Sequence, residues 1–112
     1  MSKEEALTNP AQPVVVRAGT DVTITLDANE TTGYRWQLVG PPDPAVARLV
    51  AADYTPDDHP PGMVGVGGRS HWRVWAVAPG RTTLTLENLR IWMPQEAEAT
   101  TFTIIVEPRA KD

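Results

Sequence analysis

Short runs in which apolar and polar residues alternate constrain the fold of this chain more than any other feature. The clearest runs lie at residues 21–26, 34–39, 71–78, 81–89 and 100–107. A period of two residues turns successive side chains to opposite faces of a β-strand, so one face of each run is apolar and the other is polar. No stretch of the sequence keeps a helical period over several turns. The pattern therefore predicts an all-β fold whose strands are buried on one side.

Proline and glycine mark the places where these runs end. Residues 40–44 hold three prolines and must form a turn, because proline has a fixed φ and no N–H donor. A second turn is predicted at 79–80. Residues 45–52 fit both a helical turn and a strand, and we favour a helical turn followed by a strand near 48–54. With a first strand at 14–17, the chain is predicted to form an antiparallel β-sandwich of about seven or eight short strands.

A chain of 112 residues forms one domain, and at this size folding buries enough surface for a hydrophobic core. We predict a loose tail at 1–12, the sandwich at 13–108 and a short tail at 109–112. Trp75 shares the other side of its strand with Arg73, and is expected to pack over the outer face of a sheet. The inward sides of the strands should supply the core, with members Val22, Ile24, Leu26, Trp36, Leu38, Trp72, Val74, Leu84, Leu86, Phe102, Ile104 and Val106.

Composition argues against several classes of partner. The chain has no cysteine, so it forms no disulfide and offers no thiolate. It carries 10 lysines and arginines against 14 aspartates and glutamates, and a net charge of -4 argues against nucleic acid, which needs a basic patch. The first residues are polar, and no apolar run approaches the roughly 20 residues of a membrane span. We expect no membrane segment, and the localisation stays open between the cytoplasm and a secreted or periplasmic location after removal of a leader.

Catalytic and metal sites find little support among the titratable residues. Asp53, Asp57, Asp58 and His59 follow neither a zinc nor an EF-hand spacing, and a solvated acidic loop explains them better. His59 and His71 have no serine or cysteine nucleophile arranged beside them. We therefore expect a protein that is not an enzyme and that uses neither metal nor cofactor.

Three loops with unusual residues are expected at one end of the sandwich. Successive connections alternate between the two ends of such a fold, which allows segments 29–33, 57–70 and 90–95 to lie together. Binding residues concentrate on loops that a rigid scaffold carries. The first loop offers small hydroxyls at a tight bend, and the glycines of the second let a backbone come close for strand addition. The third presents a tryptophan and an arginine, which are frequent in interface hot spots.

Each loop also has a plainer interpretation. Thr31, Thr32 and Gly33 are residues that commonly form an ordinary hairpin turn. The glycines at 65–68 could be a flexible linker, whereas a phosphate cradle is disfavoured because neither Lys-Ser/Thr nor a helix start follows them. Trp92 could belong to the core or cover a sheet edge, since tryptophan is usually largely buried.

The order of these loops resembles that of the chagasin-like inhibitors of papain-type cysteine peptidases. Members of that family carry the loops Asn-Pro-Thr-Thr-Gly-Tyr/Phe, Gly-x-Gly-Gly and Arg-Pro-Trp on an immunoglobulin-like sandwich. The resemblance covers residues 14–106, and Glu30 and Ile91 replace the family prolines, which removes some stiffness from both loops. The matching residues here are Asn29, Glu30, Thr31, Thr32, Gly33 and Tyr34, then Gly65, Val66, Gly67 and Gly68, then Arg90, Ile91 and Trp92.

The resemblance implies an immunoglobulin-like antiparallel β-sandwich that inhibits papain-like cysteine peptidases reversibly and without a covalent bond. Thr31 would lie over the catalytic cysteine, and residues 65–68 would line the non-primed side of the cleft through their backbone. Trp92 would pack on an aromatic of the primed side, with Arg90 fixing its loop or meeting an acidic rim. The implied peptidase-binding residues are Asn29, Thr31, Thr32, Gly33, Gly65, Val66, Gly67, Gly68, Arg90 and Trp92.

The alternative is a non-inhibitory immunoglobulin-like module for adhesion or carbohydrate binding. It would use the same loops or an aromatic sheet face. Under the leading interpretation we expect a monomer whose partner is a papain-like cysteine peptidase, and neither nucleic acid nor a membrane.

Overall fold

The computed structural model describes residues 7–28, 34–56, 67–90 and 92–109. Within these ranges the chain has no helix, and so none long and apolar enough to span a membrane. Two sheets form, with strand orders β1-β7-β6-β3 and β2-β5-β4, and all neighbours are antiparallel except β1 and β7. The predicted all-β sandwich is confirmed with seven strands: β1 (Val14–Arg17), β2 (Asp21–Ala28), β3 (Arg35–Gly40), β4 (Ala47–Pro56), β5 (Gly68–Ala76), β6 (Gly80–Arg90) and β7 (Met93–Glu107).

The core consists of the apolar sides of the alternating runs in both sheets. Ile24 and Val74 of one sheet and Leu84, Phe102 and Ile104 of the other are completely buried. Leu84 lies directly opposite Phe102 in the β6–β7 ladder, so their side chains share one face of that sheet. The neighbouring residues Thr83 and Thr103 are turned to the other face, whereas Thr25, Ser70 and Thr82 are buried polar residues of the same strands.

The predicted core is confirmed at nine of its twelve positions, which are Ile24, Leu26, Trp72, Val74, Leu84, Leu86, Phe102, Ile104 and Val106. Val22 and Trp36 are half-buried and pack against this core. The prediction is wrong for Leu38, whose residue surface is 37% exposed. Leu38 lies opposite Leu86, but β3 is an edge strand whose register shifts after Leu38, so no further strand covers its open side. Prediction missed the buried residues Val16, Ala18, Ala28, Ala47, Ala76 and Leu89.

The ambiguous segment at 45–52 forms a single turn and then a strand, in the predicted order. The backbone N–H groups of Val46 and Ala47 both donate to the carbonyl oxygen of Asp43, at 2.9 Å each. The bond from Ala47 spans four residues, as in one turn of an α-helix. The N–H of Asp43 in turn donates to Oγ1 of Thr82 at 2.7 Å, which ties the turn to β6.

Because the alternating runs stop at 89 and resume at 100, the sequence predicts a long loop at 90–99, and this prediction is wrong. Arg90 pairs with Met93, so β6 and β7 form a hairpin, and β7 starts at Met93 rather than near residue 100. Residues 95–99 contain no β-branched or aromatic side chain, and their own preference for a strand is weak. Pairing with β6 orders them instead, for example between Glu87 and Ala99.

The domain boundaries stay predictions, but the described part of the N-terminal tail contacts the sandwich. The backbone N–H of Thr8 donates to the carbonyl oxygen of Thr25 at 2.8 Å, and the N–H of Thr25 donates to Oγ1 of Thr8 at 3.0 Å. Both bonds lie on the edge strand β2. They satisfy backbone groups that an uncovered sheet edge would leave open.

Phe102→Ala should lower the free energy of unfolding by about 3–5 kcal/mol, because a completely buried ring would leave a cavity opposite Leu84. Val15→Ala is the matched control in the same sheet, since Val15 is 55% exposed and its change should stay within about 0.5 kcal/mol. Urea unfolding followed by tryptophan fluorescence measures both. Equal losses for the two variants would contradict the packing described.

Candidate functional site

The strands of the smaller sheet fix where the first predicted loop begins and where the second begins and ends. Ala28, the last residue of β2, pairs with Gly68, the first residue of β5. Pro56, the last residue of β4, pairs with Gly68 from the other side. Segments 29–33 and 57–67 are therefore connected to neighbouring strand ends at one level of this sheet.

In the larger sheet, the third connection leaves beside the strand in which the first connection ends. Arg35, the first residue of β3, lies opposite Leu89 near the end of β6. Arg90 then pairs with Met93, so the hairpin connection at residues 91–92 leaves from the same level.

A hydrogen bond between the sheets brings these strand ends to one end of the sandwich. The indole N–H of Trp36, in β3, donates to the carbonyl oxygen of Asp27, in β2, at 3.1 Å. The guanidinium of Arg69 pairs with the Asp27 carboxylate at 3.0 Å and donates to the carbonyl oxygen of Gly68 at 3.2 Å. The predicted clustering of the three connections therefore holds for the residues that flank them.

Six predicted site residues lie outside the described residues and stay predictions. They are Asn29, Thr31, Thr32, Gly33, Gly65 and Val66. Of the second loop, Gly67 is half-buried and Gly68 is buried. Gly68 belongs to β5 rather than to a loop, because strands pair with it on both sides.

Trp92 lies between β6 and β7 and is 65% exposed. The other tryptophans are more covered: Trp72 is 7% exposed, Trp36 is half-buried and Trp75 is 41% exposed. The interpretation of Trp92 as a core residue is therefore excluded. A large aromatic side chain at the tip of a hairpin is available to a partner.

Arg90 contacts the residue that follows the first loop. The central carbon of its guanidinium lies 4.3 Å from the centre of the Tyr34 ring, in a cation–π contact. Nη1 of Arg90 lies 4.0 Å from the sulfur of Met93. Tyr34 was part of the quoted motif but was not among the predicted site residues, and nothing in its sequence position indicates this contact.

A further cleft lies away from these loops, on the outer face of the smaller sheet. It has a volume of about 600 Å³ and is lined by Thr23, Thr25, Ala51, Asp53, Thr55, His71 and Arg73. Nδ1 of His71 lies 3.3 Å from Oγ1 of Thr25, and no serine or cysteine lines the cleft. Among the described residues, no group of three or more His, Cys, Asp or Glu side chains could hold a metal.

Trp92→Ala should change the free energy of unfolding by no more than about 0.5 kcal/mol, because most of the side chain is already in water. Trp72→Ala is the comparison, since its buried indole also donates to Oγ of Ser70 at 2.8 Å. That variant should lose about 3–5 kcal/mol. A loss of that size for Trp92→Ala in urea unfolding would contradict its exposed position.

Comparison with known proteins identifies close and distant relatives. The family model described as "Chagasin family peptidase inhibitor I42" matches residues 15–106. Amoebiasin-1 of Entamoeba histolytica is 31% identical over 93 residues, which are 83% of this chain and 86% of that protein.

Two solved structures share the fold. The cysteine protease inhibitor EhICP2 of Entamoeba histolytica has a TM-score of 0.64 at 21% identity, over 85% of this chain and 88% of its own. PbICP-C, solved in complex with falcipain-2, has a TM-score of 0.66 at 15% identity, over 93% and 96% of the two chains. These likenesses confirm the immunoglobulin-like sandwich, and the family is one of inhibitors rather than enzymes. With a family match that runs from β1 into β7, this chain belongs to the chagasin family of peptidase inhibitors.

Proposed function

We propose that this chain is a reversible, non-covalent inhibitor of papain-like cysteine peptidases. It blocks the active-site cleft with segments 29–33 and 65–67 and with Trp92 of the hairpin that follows Arg90. The observation that carries the proposal is the common origin of these segments at one end of the sandwich, where the Trp36–Asp27 hydrogen bond joins the two sheets. The active site of such a peptidase lies in a groove, and a row of neighbouring loops on a rigid scaffold has the shape to enter it.

The relatives support a cysteine peptidase as the target class. EhICP2 is a cysteine protease inhibitor, and PbICP-C was solved bound to falcipain-2. The loop motifs of inhibitors of papain-type enzymes occur in this chain in the same order. The sandwich is the feature that this chain shares with both structures.

Trp92 is the anchor of the proposed interface. Its side chain is 65% exposed in the free protein, so binding can remove a large apolar area from water. A tryptophan buries 150–250 Å² in contacts of this kind, and it has few rotatable bonds to immobilise. Trp92 would pack on an aromatic side chain at the primed side of the cleft.

The glycine segment acts through its backbone. Gly68 is already paired with Ala28 and Pro56, so it serves as the anchor of the segment within the sheet. Pairing with the non-primed side of the cleft would therefore use Gly65, Val66 and Gly67. Strand addition of this kind gains affinity from main-chain hydrogen bonds.

The first segment provides the block at the catalytic cysteine. Segment 29–33 leaves β2 at Ala28 and returns at Tyr34, next to β3 in the other sheet. Thr31 would occlude the catalytic cysteine without offering a bond in line for cleavage, as a reversible inhibitor requires. Interfaces of this type bury about 800 Å² per partner, and a preformed scaffold limits the ordering cost.

The purified chain should inhibit papain and a cathepsin-L-type enzyme when titrated against hydrolysis of a small peptide substrate. Dilution should restore activity, and mass spectrometry should find the inhibitor intact, because no bond is formed or cleaved. A serine peptidase such as trypsin serves as the control and should retain its activity. Unchanged hydrolysis by several papain-like enzymes at micromolar inhibitor would overturn the proposal.

Trp92→Ala should weaken inhibition of papain by about 2 kcal/mol or more, roughly a 30-fold rise in the inhibition constant. Trp75→Ala is the matched control, because Trp75 is an exposed tryptophan on the outer face of the other sheet, 41% accessible. It should leave the inhibition constant unchanged. Equal effects of the two substitutions would exclude the loop end as the binding surface.

A further inference from the structure

Arg90 and Tyr34 occupy the next position of the β3–β6 ladder beyond its last backbone pair. Trp36 lies opposite Asn88 and Arg35 lies opposite Leu89. One step further along both strands places Tyr34 opposite Arg90. Their side chains meet there, with the guanidinium carbon 4.3 Å from the centre of the ring. A cross-strand side-chain pair thus continues the contact between β3 and β6 where backbone pairing ends.

The surroundings of Arg90 direct its cation towards the protein rather than into solvent. Nε is buried and has no hydrogen-bond partner in the part of the chain that the structure describes. Nη1 lies 4.0 Å from the sulfur of Met93, across the hairpin. The group is therefore held by a ring and a thioether, which suit the planar and weakly hydrated guanidinium.

We propose that Arg90 is a positioning residue that supports inhibition through Tyr34 and does not act by pairing with an acidic rim on the peptidase. The inference rests on the proposed function. Tyr34 directly follows segment 29–33, and Arg90 directly precedes the hairpin that carries Trp92. Their contact fixes the distance between the end of the first loop and the start of the third before binding. Two loop ends held at a set distance reduce the ordering cost of association.

The two roles of Arg90 predict different behaviour of conservative variants. A guanidinium over an aromatic ring is more weakly hydrated than an ammonium, so lysine should reproduce this contact poorly although it keeps the charge. A cation that meets an acidic rim acts chiefly through the rate of association and its dependence on salt, and lysine can largely replace it there. Tyr34→Phe retains the ring, and Tyr34→Leu removes it.

The experiment is a double-mutant cycle on the inhibition of papain, with Arg90→Met, Tyr34→Leu and the double variant. Each single variant should raise the inhibition constant roughly tenfold. The double variant should be no weaker than either single one, because both remove the same contact. Arg90→Lys should raise the inhibition constant nearly as much as Arg90→Met does. Tyr34→Phe should have the inhibition constant of the parent.

Arg35→Met is the matched charge control, since Arg35 is an exposed cation one residue from Tyr34. Arg90→Met should alter the salt dependence of the association rate no more than this control does. Thermal unfolding of every variant tests whether a general loss of stability causes the losses in inhibition. In that case Arg90→Met and Tyr34→Leu would lower the melting temperature equally.

The inference is overturned if the effects of Arg90→Met and Tyr34→Leu add in the double variant, or if Arg90→Lys inhibits like the parent. Either result, with a parent that inhibits papain, leaves the proposed function intact. A parent that does not inhibit any papain-like enzyme overturns the proposed function itself, and the inference with it.

Discussion

Burial of apolar side chains between two sheets is the interaction on which the rest of this structure depends. Ile24, Leu84 and Phe102 are completely buried, whereas Thr23, Thr83 and Thr101 beside them are exposed. A shift of one residue in any ladder would turn every side chain of a strand to the other face. Burial therefore fixes the register of the strands. The register in turn sets the level at which each strand ends, and so the place from which each loop leaves.

The end that carries the loops has its own ties, and these act on geometry more than on stability. The indole of Trp36 joins the sheets at Asp27, Arg69 pairs with the same aspartate, and the guanidinium of Arg90 lies over the ring of Tyr34. Such exposed or half-exposed contacts contribute little each to the free energy of unfolding. They hold the flanks of three loops in one arrangement, which is what a partner with a fixed groove requires. Stability and recognition are thus assigned to different parts of the same sandwich.

The fold was largely predictable because two-residue alternation is a local signal of burial. Alternation wrongly predicted that Leu38 is buried, because the exposure of Leu38 depends on the position of β3 at a sheet edge. It failed again for residues 93–99, whose strand is imposed by pairing with β6 rather than by their own composition. The loop motifs were visible in the sequence, and so was the family they indicate. The contact of Arg90 with Tyr34 was not, since it requires the register of two strands that are distant in the chain.

A crystal structure of this chain bound to papain would show which end of the sandwich enters the active site. We expect Trp92 and the segments at 29–33 and 65–67 to fill the cleft, with the guanidinium of Arg90 still over the ring of Tyr34. The outer face of the smaller sheet, which carries Trp75, should stay in solvent. A complex in which the peptidase covers that face and leaves Trp92 exposed would contradict the account.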